Sequence, residues 1–212
     1  MTSPLVSPSL RPGDVFERYR IDAFLGRGGM GEVYGAFDTR LHRRVALKVL
    51  RREREAADPG ELRRVLGEAR AMAALSHRHI VTVYDVAEHA GTAYFTMELL
   101  EGAPLKRFVG PSAGRLSDKL RWLGEIAGAL SAAHAAGLVH RDVKPANVMV
   151  TRDGAVKLLD FGIAKRLAAA QEAGAAPPSL GFPETVAGVI IGTPRYMAPE
   201  QLAGAPAAAA SD

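Results

Sequence analysis

The sequence predicts an α+β protein of two lobes, with strands dominating the first lobe and helices the second. Short apolar runs bounded by turn residues fill the first half of the chain, which is the pattern of strands in a sheet. The second half carries a long helical pattern from Ser117 to Ala136, and the change falls near Leu99 to Ala103. We therefore expect a flexible leader over residues 1–17, a first lobe over residues 18–101 and a second lobe over residues 102–212.

The first lobe is expected to contain one helix among its strands. The helix begins near Asp58 and Pro59, because a capping residue there precedes a proline suited to the first helical position, and it runs to Leu75. Apolar residues recur along it with helical spacing and form one stripe. The predicted strands are Tyr19 to Leu25, Gly31 to Phe37, Arg44 to Leu50, Ile80 to Val86 and Thr92 to Leu99.

The second lobe is expected to be built on the helix from Ser117 to Ala136, which Gly137 ends. Strands follow at Asn147 to Val150 and Val156 to Leu159. The connection from Lys165 to Gly192 is rich in Ala, Gly and Pro, and its length indicates a functional loop, because compact domains rarely contain such loops otherwise. One apolar face of the helix is predicted to comprise Leu120, Leu123, Ile126, Ala127, Leu130 and Ala133.

Composition argues against several other classes of protein. The 27 Lys and Arg residues are mixed with 23 Asp and Glu residues, so the net charge of +4 predicts no nucleic-acid partner. The absence of cysteine excludes disulfides and thiolate metal sites. Residues 1–11 lack the pattern of a signal peptide, and no apolar run approaches the ~20 residues that span a bilayer. We expect a cytoplasmic chain without a membrane segment, although an anchor could follow residue 212.

A glycine pattern near the start of the first lobe is the first candidate for chemistry. Gly26, Gly28 and Gly31 form G-x-G-x-x-G. In a dinucleotide-binding turn this pattern opens a helix, whereas here it continues into a strand, which favours a hairpin lying over phosphates. By itself the pattern is equally compatible with an ordinary glycine turn.

A lysine at the end of the third predicted strand is the second candidate. Lys48 closes the run Val45-Ala46-Leu47-Lys48, and its plainest interpretation is an edge-strand lysine. Glu68 lies twenty residues further on, within the predicted helix of the first lobe. A carboxylate there could hold the ammonium group and aim it at the α- and β-phosphates of a nucleotide.

Three further motifs follow in order along the chain. Residues 140–147 read His-Arg-Asp-Val-Lys-Pro-Ala-Asn, residues 160–162 read Asp-Phe-Gly and residues 198–200 read Ala-Pro-Glu. Together with the glycine pattern and Lys48, they resemble the protein kinase signature set. The resemblance runs from about Tyr19 to the last residue and implies the two-lobe fold of that family.

Within this family the chain is most similar to bacterial Hanks-type serine/threonine kinases. The phrases at residues 26–34 and 192–201 carry that similarity, and Lys144, two residues after Asp142, is typical of the serine/threonine branch. The resemblance implies transfer of the γ-phosphoryl group from ATP to protein Ser and Thr hydroxyls, with Mg²⁺ as the metal. The implied partners are protein substrates and a second copy of the kinase for trans-autophosphorylation.

The resemblance also implies a role for each motif residue. Lys48, held by Glu68, would anchor the α- and β-phosphates, and Asn147 and Asp160 would ligate Mg²⁺. Asp142 would accept the proton of the substrate hydroxyl, while Lys144 would neutralise charge on the moving phosphoryl group. The hairpin glycines and Asp160 complete the predicted nucleotide site, whose adenine part comprises Leu25, Val33, Ala46 and Met149, main-chain groups of Glu98 and Leu100, and Met97 as the residue that controls access behind adenine.

The resemblance leads to three further expectations. Thr185 is expected to be the principal activating autophosphorylation site. The second lobe is expected to be incomplete, because the family continues after Glu200 with a buried helix whose start resembles Ser211-Asp212, and Glu200 is therefore expected to lack its family partner, an arginine. The alternative function is a short, non-catalytic module that binds a nucleotide or another kinase.

Overall fold

The computed structural model describes residues 9–28, 31–50, 73, 75–110, 114–159, 194–203, 205 and 207–212. The predicted helix from Asp58 to Leu75 lies almost wholly outside this part of the chain, as do Glu68, Asp160 and Thr185. The described residues form two compact units. Residues up to 50 and residues 83–99 belong to the first unit, and residues 75–82 and those from 100 onward belong to the second.

The first unit contains a six-stranded antiparallel sheet in the order β1-β2-β3-β4-β6-β5. Four of the five predicted strands match with small shifts at their ends. The fifth strand, predicted from Ile80 to Val86, begins only at Val83, and Ile80 belongs to the second unit, where it makes an isolated bridge with Leu158. The strands are β1 (Val15–Phe16), β2 (Tyr19–Gly28), β3 (Gly31–Asp38), β4 (Arg43–Leu50), β5 (Val83–His89) and β6 (Thr92–Glu98).

One face of this sheet holds the core of the first unit. Alternate residues of β4, Val45, Leu47 and Val49, are buried against a cluster of aromatic and aliphatic side chains. Because neighbouring residues of a strand point to opposite faces, Ala46 and Lys48 lie on the other face. The rest of the core cluster comprises Tyr19, Ile21, Tyr34, Ala36 and Tyr94.

Residues 9–17 of the expected flexible leader are ordered against this sheet. Leu10 and Phe16 pack on the core cluster, and β1 pairs with the start of β2. The amide of Ile21 donates to the carbonyl of Asp14 at 2.8 Å. Two partly buried apolar side chains and a strand pairing thus hold a segment whose composition alone indicated disorder.

The second unit consists of a helix packed on a three-stranded antiparallel sheet. Helix α1 (Leu116–Ala135) ends as predicted, because Gly137 adopts a positive φ of 73° and the amide of Leu138 donates to the carbonyl of Ala133. No described helix is long and apolar enough to cross a membrane. The remaining elements are β7 (Gly102–Pro104), β8 (Val148–Thr151), β9 (Val156–Leu158), the short helix α2 (Pro199–Leu202) and four 3-10 turns, Leu105–Phe108, Pro145–Asn147, Pro194–Tyr196 and Ala209–Ser211.

The buried face of α1 agrees only in part with the predicted one. Ile126 and Ala133 are buried as predicted, and Leu130 packs partly buried against the same cluster, which Trp122 and Ala129 complete. Leu120 and Leu123 are 60% and 61% exposed, although the sequence pattern placed them with the buried residues. The helix has apolar residues on more than one face, and the pattern could not say which face meets the sheet. Trp122 anchors the observed face by donating from Nε1 to the carbonyl of Gly154 at 2.9 Å.

Candidate active site

The glycine pattern forms the tight end of a β-hairpin, as predicted. Strands β2 and β3 pair up to Gly28 and Gly31, and Gly31 has a φ of 156°. A Cβ on Gly31 would lie 2.2 Å from the carbonyl oxygen of Val49, so the approach of β4 itself requires glycine here. A Cβ on Gly26 or Gly28 would meet no atom of the described residues within 4 Å. Contacts among the described residues therefore do not require glycine at these two positions.

Beside the hairpin, one face of the sheet carries five of the residues predicted to bind the nucleotide. Lys48 pairs across the sheet with Val33, and Ala46 pairs with Met97, so the four side chains share a face. Lys48 is only 8% exposed. Leu25 reaches the same face, because a Cβ on Gly35, the β3 partner of Ala46, would meet Leu25 Cδ2 at 3.8 Å. Glu98 ends β6, opposite Val45.

In the second unit, the loop over residues 140–147 holds the side chain of Asp142 between two polar partners. Lys144 Nζ lies 2.8 Å from Asp142 Oδ2, and Asn147 Nδ2 donates to the same oxygen at 2.8 Å. Asn147 Nδ2 also donates to the main-chain carbonyl of Asp142 at 2.9 Å. Three of the predicted catalytic and metal-binding residues therefore meet at one carboxylate.

His140 holds this loop through hydrogen bonds of its imidazole ring. It is fully buried, its Nδ1 accepts the main-chain N–H of Asp142 at 3.2 Å, and its Nε2 lies 2.7 Å from the carbonyl oxygen of Leu159. Because Nδ1 accepts, Nε2 carries the proton and donates. The ring thus links the loop over residues 140–147 to Leu159, which directly follows β9 and lies nineteen residues after His140 along the chain.

Asp212 contacts the loop over residues 140–147, a contact that the sequence analysis did not predict. Its carboxylate is 0% exposed and accepts the main-chain N–H groups of His140 and Arg141, each at 2.6 Å. His134 Nε2 lies 2.9 Å from Asp212 Oδ2. Arg141 has a positive φ of 67°, a conformation that carries strain for a residue with a side chain. The sequence indicates that Ser211-Asp212 resembles the start of a family helix. It does not indicate that Asp212 accepts the main-chain N–H of Arg141, 71 residues earlier.

Glu200 has a partner, contrary to expectation. Ser211 Oγ donates a hydrogen bond to Glu200 Oε1, and this bond lowers the pKa of Glu200. In the same region Gln201 Nε2 donates to the carbonyl of Arg141 at 3.0 Å, so α2 also contacts the catalytic loop. Among the described residues, the partner of Glu200 is thus Ser211, which reaches the carboxylate from the 3-10 turn Ala209–Ser211.

The remaining predicted residues fall in two groups. Met149 lies on β8 opposite Pro104, and Leu100 precedes β7, so both belong to the second unit. Glu68, Asp160 and Thr185 lie outside the described residues, and their predicted roles remain predictions.

Two features are typical of proteins that transfer phosphoryl groups. One is a glycine hairpin beside a buried lysine, and the other is a loop in which an aspartate contacts an asparagine and a lysine. The chain belongs to the protein kinase family, since the family model described as "Protein kinase domain" matches residues 19–212. Its fold is the α+β protein kinase fold, with a β-rich N-lobe and an α-rich C-lobe.

Individual relatives agree with this family. The chain is 45% identical over 202 residues to the serine/threonine-protein kinase PknA of Mycobacterium tuberculosis, covering 92% of this chain and 44% of PknA. It is 40% identical over 208 residues to PknB of Mycolicibacterium smegmatis, covering 95% of this chain and 31% of PknB. The crystal structure of the M. tuberculosis PknI kinase domain matches with a TM-score of 0.70 and 34% identity, covering 96% of this chain and 73% of that one. The chain spans less than half the length of these two curated kinases.

Proposed function

We propose that the protein transfers the γ-phosphoryl group of ATP to Ser and Thr hydroxyls of proteins in a Mg²⁺-dependent reaction. The observation that carries the proposal is the carboxylate of Asp142, oriented by Asn147 and Lys144 within 2.8 Å. A kinase needs this arrangement because phosphoryl transfer is accelerated mainly by positioned groups and charges. Asp142 orients the substrate hydroxyl and accepts its proton, and Lys144 stabilises negative charge on the phosphoryl group in transit.

The glycine hairpin and the neighbouring sheet face of the first unit are the proposed binding site for ATP. No described atom lies within 4 Å of the position that a Cβ would take at Gly26 or Gly28, so the backbone there leaves room for phosphate oxygens. Lys48 is positioned for the α- and β-phosphates on the face that also carries Val33 and Ala46 for adenine. ATP supplies the phosphoryl group, whose bond to the β–γ bridging oxygen breaks as the bond to the hydroxyl oxygen forms. Leu25, Met97 and Met149, the main chain of Glu98 and Leu100, and Gly31 complete the proposed site.

The donors also fit Mg²⁺, a hard ion that prefers oxygen ligands. Asn147 directs Nδ2 to Asp142, which leaves its amide oxygen as the metal ligand. Asp160 is proposed as the second ligand and Glu68 as the carboxylate that holds Lys48. When bound, the ion neutralises charge on the phosphate oxygens.

We further propose that the kinase acts in the cytoplasm, where ATP is available, on protein substrates that include a second copy of itself. Thr185 is the proposed site of autophosphorylation. The alternative, a non-catalytic nucleotide-binding or kinase-interacting module, is favoured by no feature of the described residues. A binding module has no chemical need for the contacts that orient Asp142.

The test is transfer of labelled phosphate from [γ-³²P]ATP to a Ser- and Thr-rich protein by the full-length protein. Asp142→Asn should lower kcat by about 10²–10⁴-fold, the range for a positioned proton acceptor. Asp153→Asn is the matched control, because Asp153 lies in an exposed turn of the same unit and bonds to Thr151. Wild-type turnover in Asp142→Asn would overturn the assignment.

A further inference from the structure

A buried carboxylate lies on the glycine hairpin and has no part in the proposed chemistry. Glu32 directly follows Gly31 on β3 and is 5% exposed. Its Oε1 accepts from Arg27, its cross-strand partner on β2, and its Oε2 accepts from the hydroxyl of Tyr34. The carboxylate therefore joins both strands of the hairpin at the end where Gly28 and Gly31 meet.

The remaining donors to this carboxylate come from the segment before the first strand. Ser9 donates to Glu32 Oε2 from its main-chain N–H at 3.0 Å and from Oγ at 2.5 Å. Leu10 donates from its N–H to the hydroxyl of Tyr34 at 3.2 Å. We name residues 9–14 the N-terminal strap, because Gly13 and Asp14 at its other end hydrogen bond with Ile21 of β2.

We propose that Ser9, Glu32 and Tyr34 are positioning residues through which the N-terminal strap holds the glycine hairpin in its nucleotide-binding conformation. This inference rests on the proposed function. Gly26 and Gly28 give the hairpin a large freedom of conformation, and binding a nucleotide must remove it. A strap anchored both on β2 and on the hairpin removes part of that freedom before the nucleotide arrives, so it raises affinity without touching the ligand.

Ser9 offers a graded series of variants. Ser9→Ala removes the hydroxyl but keeps the main-chain N–H, and Ser9→Thr keeps the hydroxyl. Ser9→Asp places a second carboxylate against that of Glu32, so it should detach the strap by repulsion between like charges. Thr39→Ala is the matched control in the same unit, because Thr39 Oγ1 donates to the carbonyl of Arg18 at 2.8 Å, next to the β3 end opposite the hairpin.

The experiment measures the Kd of a fluorescent ATP analogue and the steady-state constants of the full-length protein. We expect Ser9→Ala to weaken nucleotide binding about three- to tenfold, the value of one ordinary hydrogen bond, and Ser9→Asp to weaken it further. The KM for ATP should rise in step, while kcat at saturating ATP and the KM for the protein substrate stay constant. Ser9→Thr and Thr39→Ala should bind as the wild type does.

Two results would contradict this inference in different ways. If the wild type binds nucleotide and Ser9→Ala and Ser9→Asp bind equally well, the strap does not position the hairpin, even if their melting temperatures fall. If the wild type binds no nucleotide at all, the proposed function is wrong, and the proposed role of the N-terminal strap is then wrong as well. Tyr34→Phe repeats the test from the other side of the network, since it removes the hydroxyl and keeps the buried ring.

Discussion

Replacing Asp212 by Asn tests how the catalytic loop is held. Asp212 accepts two main-chain N–H groups, from His140 and Arg141, and contacts His134 with the same carboxylate. Asn keeps one acceptor oxygen and turns the other into an NH₂ group, which must face a main-chain donor at the 2.6 Å contact. One charge-assisted hydrogen bond, worth about 1.5–3 kcal/mol, is lost and a buried N–H is left without an acceptor, at a further cost of about 1–3 kcal/mol.

The expected loss for Asp212→Asn is therefore about 2.5–6 kcal/mol, a large share of the ~5–15 kcal/mol that stabilises an ordinary domain. Urea unfolding of the full-length protein followed by circular dichroism measures it. The kcat should fall at least tenfold, because Arg141 loses the contact that supports its positive φ immediately before Asp142.

His134→Ala is the matched control for this change. It removes only the third contact of Asp212, so it should cost about 0.5–1.5 kcal/mol and change kcat little. An Asp212→Asn variant with wild-type unfolding and wild-type kcat would refute the view that this carboxylate anchors the loop.

Three more predictions concern other parts of the chain. Burial alone would raise the pKa of Glu32, but hydrogen bonds from Ser9, Tyr34 and Arg27 outweigh it and lower the pKa to about 2 from 4.5. Its stabilising contribution is thus present above pH 4.5 and lost as the pH falls through 2, so Glu32→Gln should cost about 1–3 kcal/mol at pH 7 in urea unfolding and almost nothing at pH 2. Leu120→Gln with Leu123→Gln should raise the solubility of residues 1–212 expressed alone, measured by sedimentation, without lowering the melting temperature. Thr185→Ala should remove the main phosphopeptide formed on incubation of the full-length protein with ATP; phosphate found only on Ser179 would argue against it.

The sheet and the hairpin were predictable because their signals are local. The apolar run from Val45 to Leu50 and the glycines at both ends of the turn indicate strand and hairpin within a few residues. The buried face of α1 was predicted only in part, since apolar residues lie on several of its sides and packing on the sheet buries Ile126 but leaves Leu123 exposed. A local pattern states that a helix is amphipathic, whereas long-range packing decides which stripe is buried.

The candidate site likewise has a part that the sequence predicts and a part that only the fold shows. Asp142, Lys144 and Asn147 lie within six residues, so their motif could be recognised and the structure brings them together. Asp212 and Ser9 act over 71 and 23 residues of sequence and carry no motif of their own. A role can be assigned to polar side chains so far apart in sequence only when the fold shows which buried main-chain N–H or carboxylate lies beside them.

The most direct test of the central claim is labelled phosphate transfer by the full-length protein with Lys48→Met beside the wild type. The wild type should label protein Ser and Thr in the presence of Mg²⁺ and lose this activity in excess EDTA. Lys48→Met should unfold at nearly the wild-type urea concentration and transfer at least a hundredfold more slowly, the order expected when a charge in the transition state is lost. Lys106→Met, at an exposed lysine of the 3-10 turn after β7, should transfer as the wild type does. Phosphoserine and phosphothreonine formed at the wild-type rate by Lys48→Met would contradict the account.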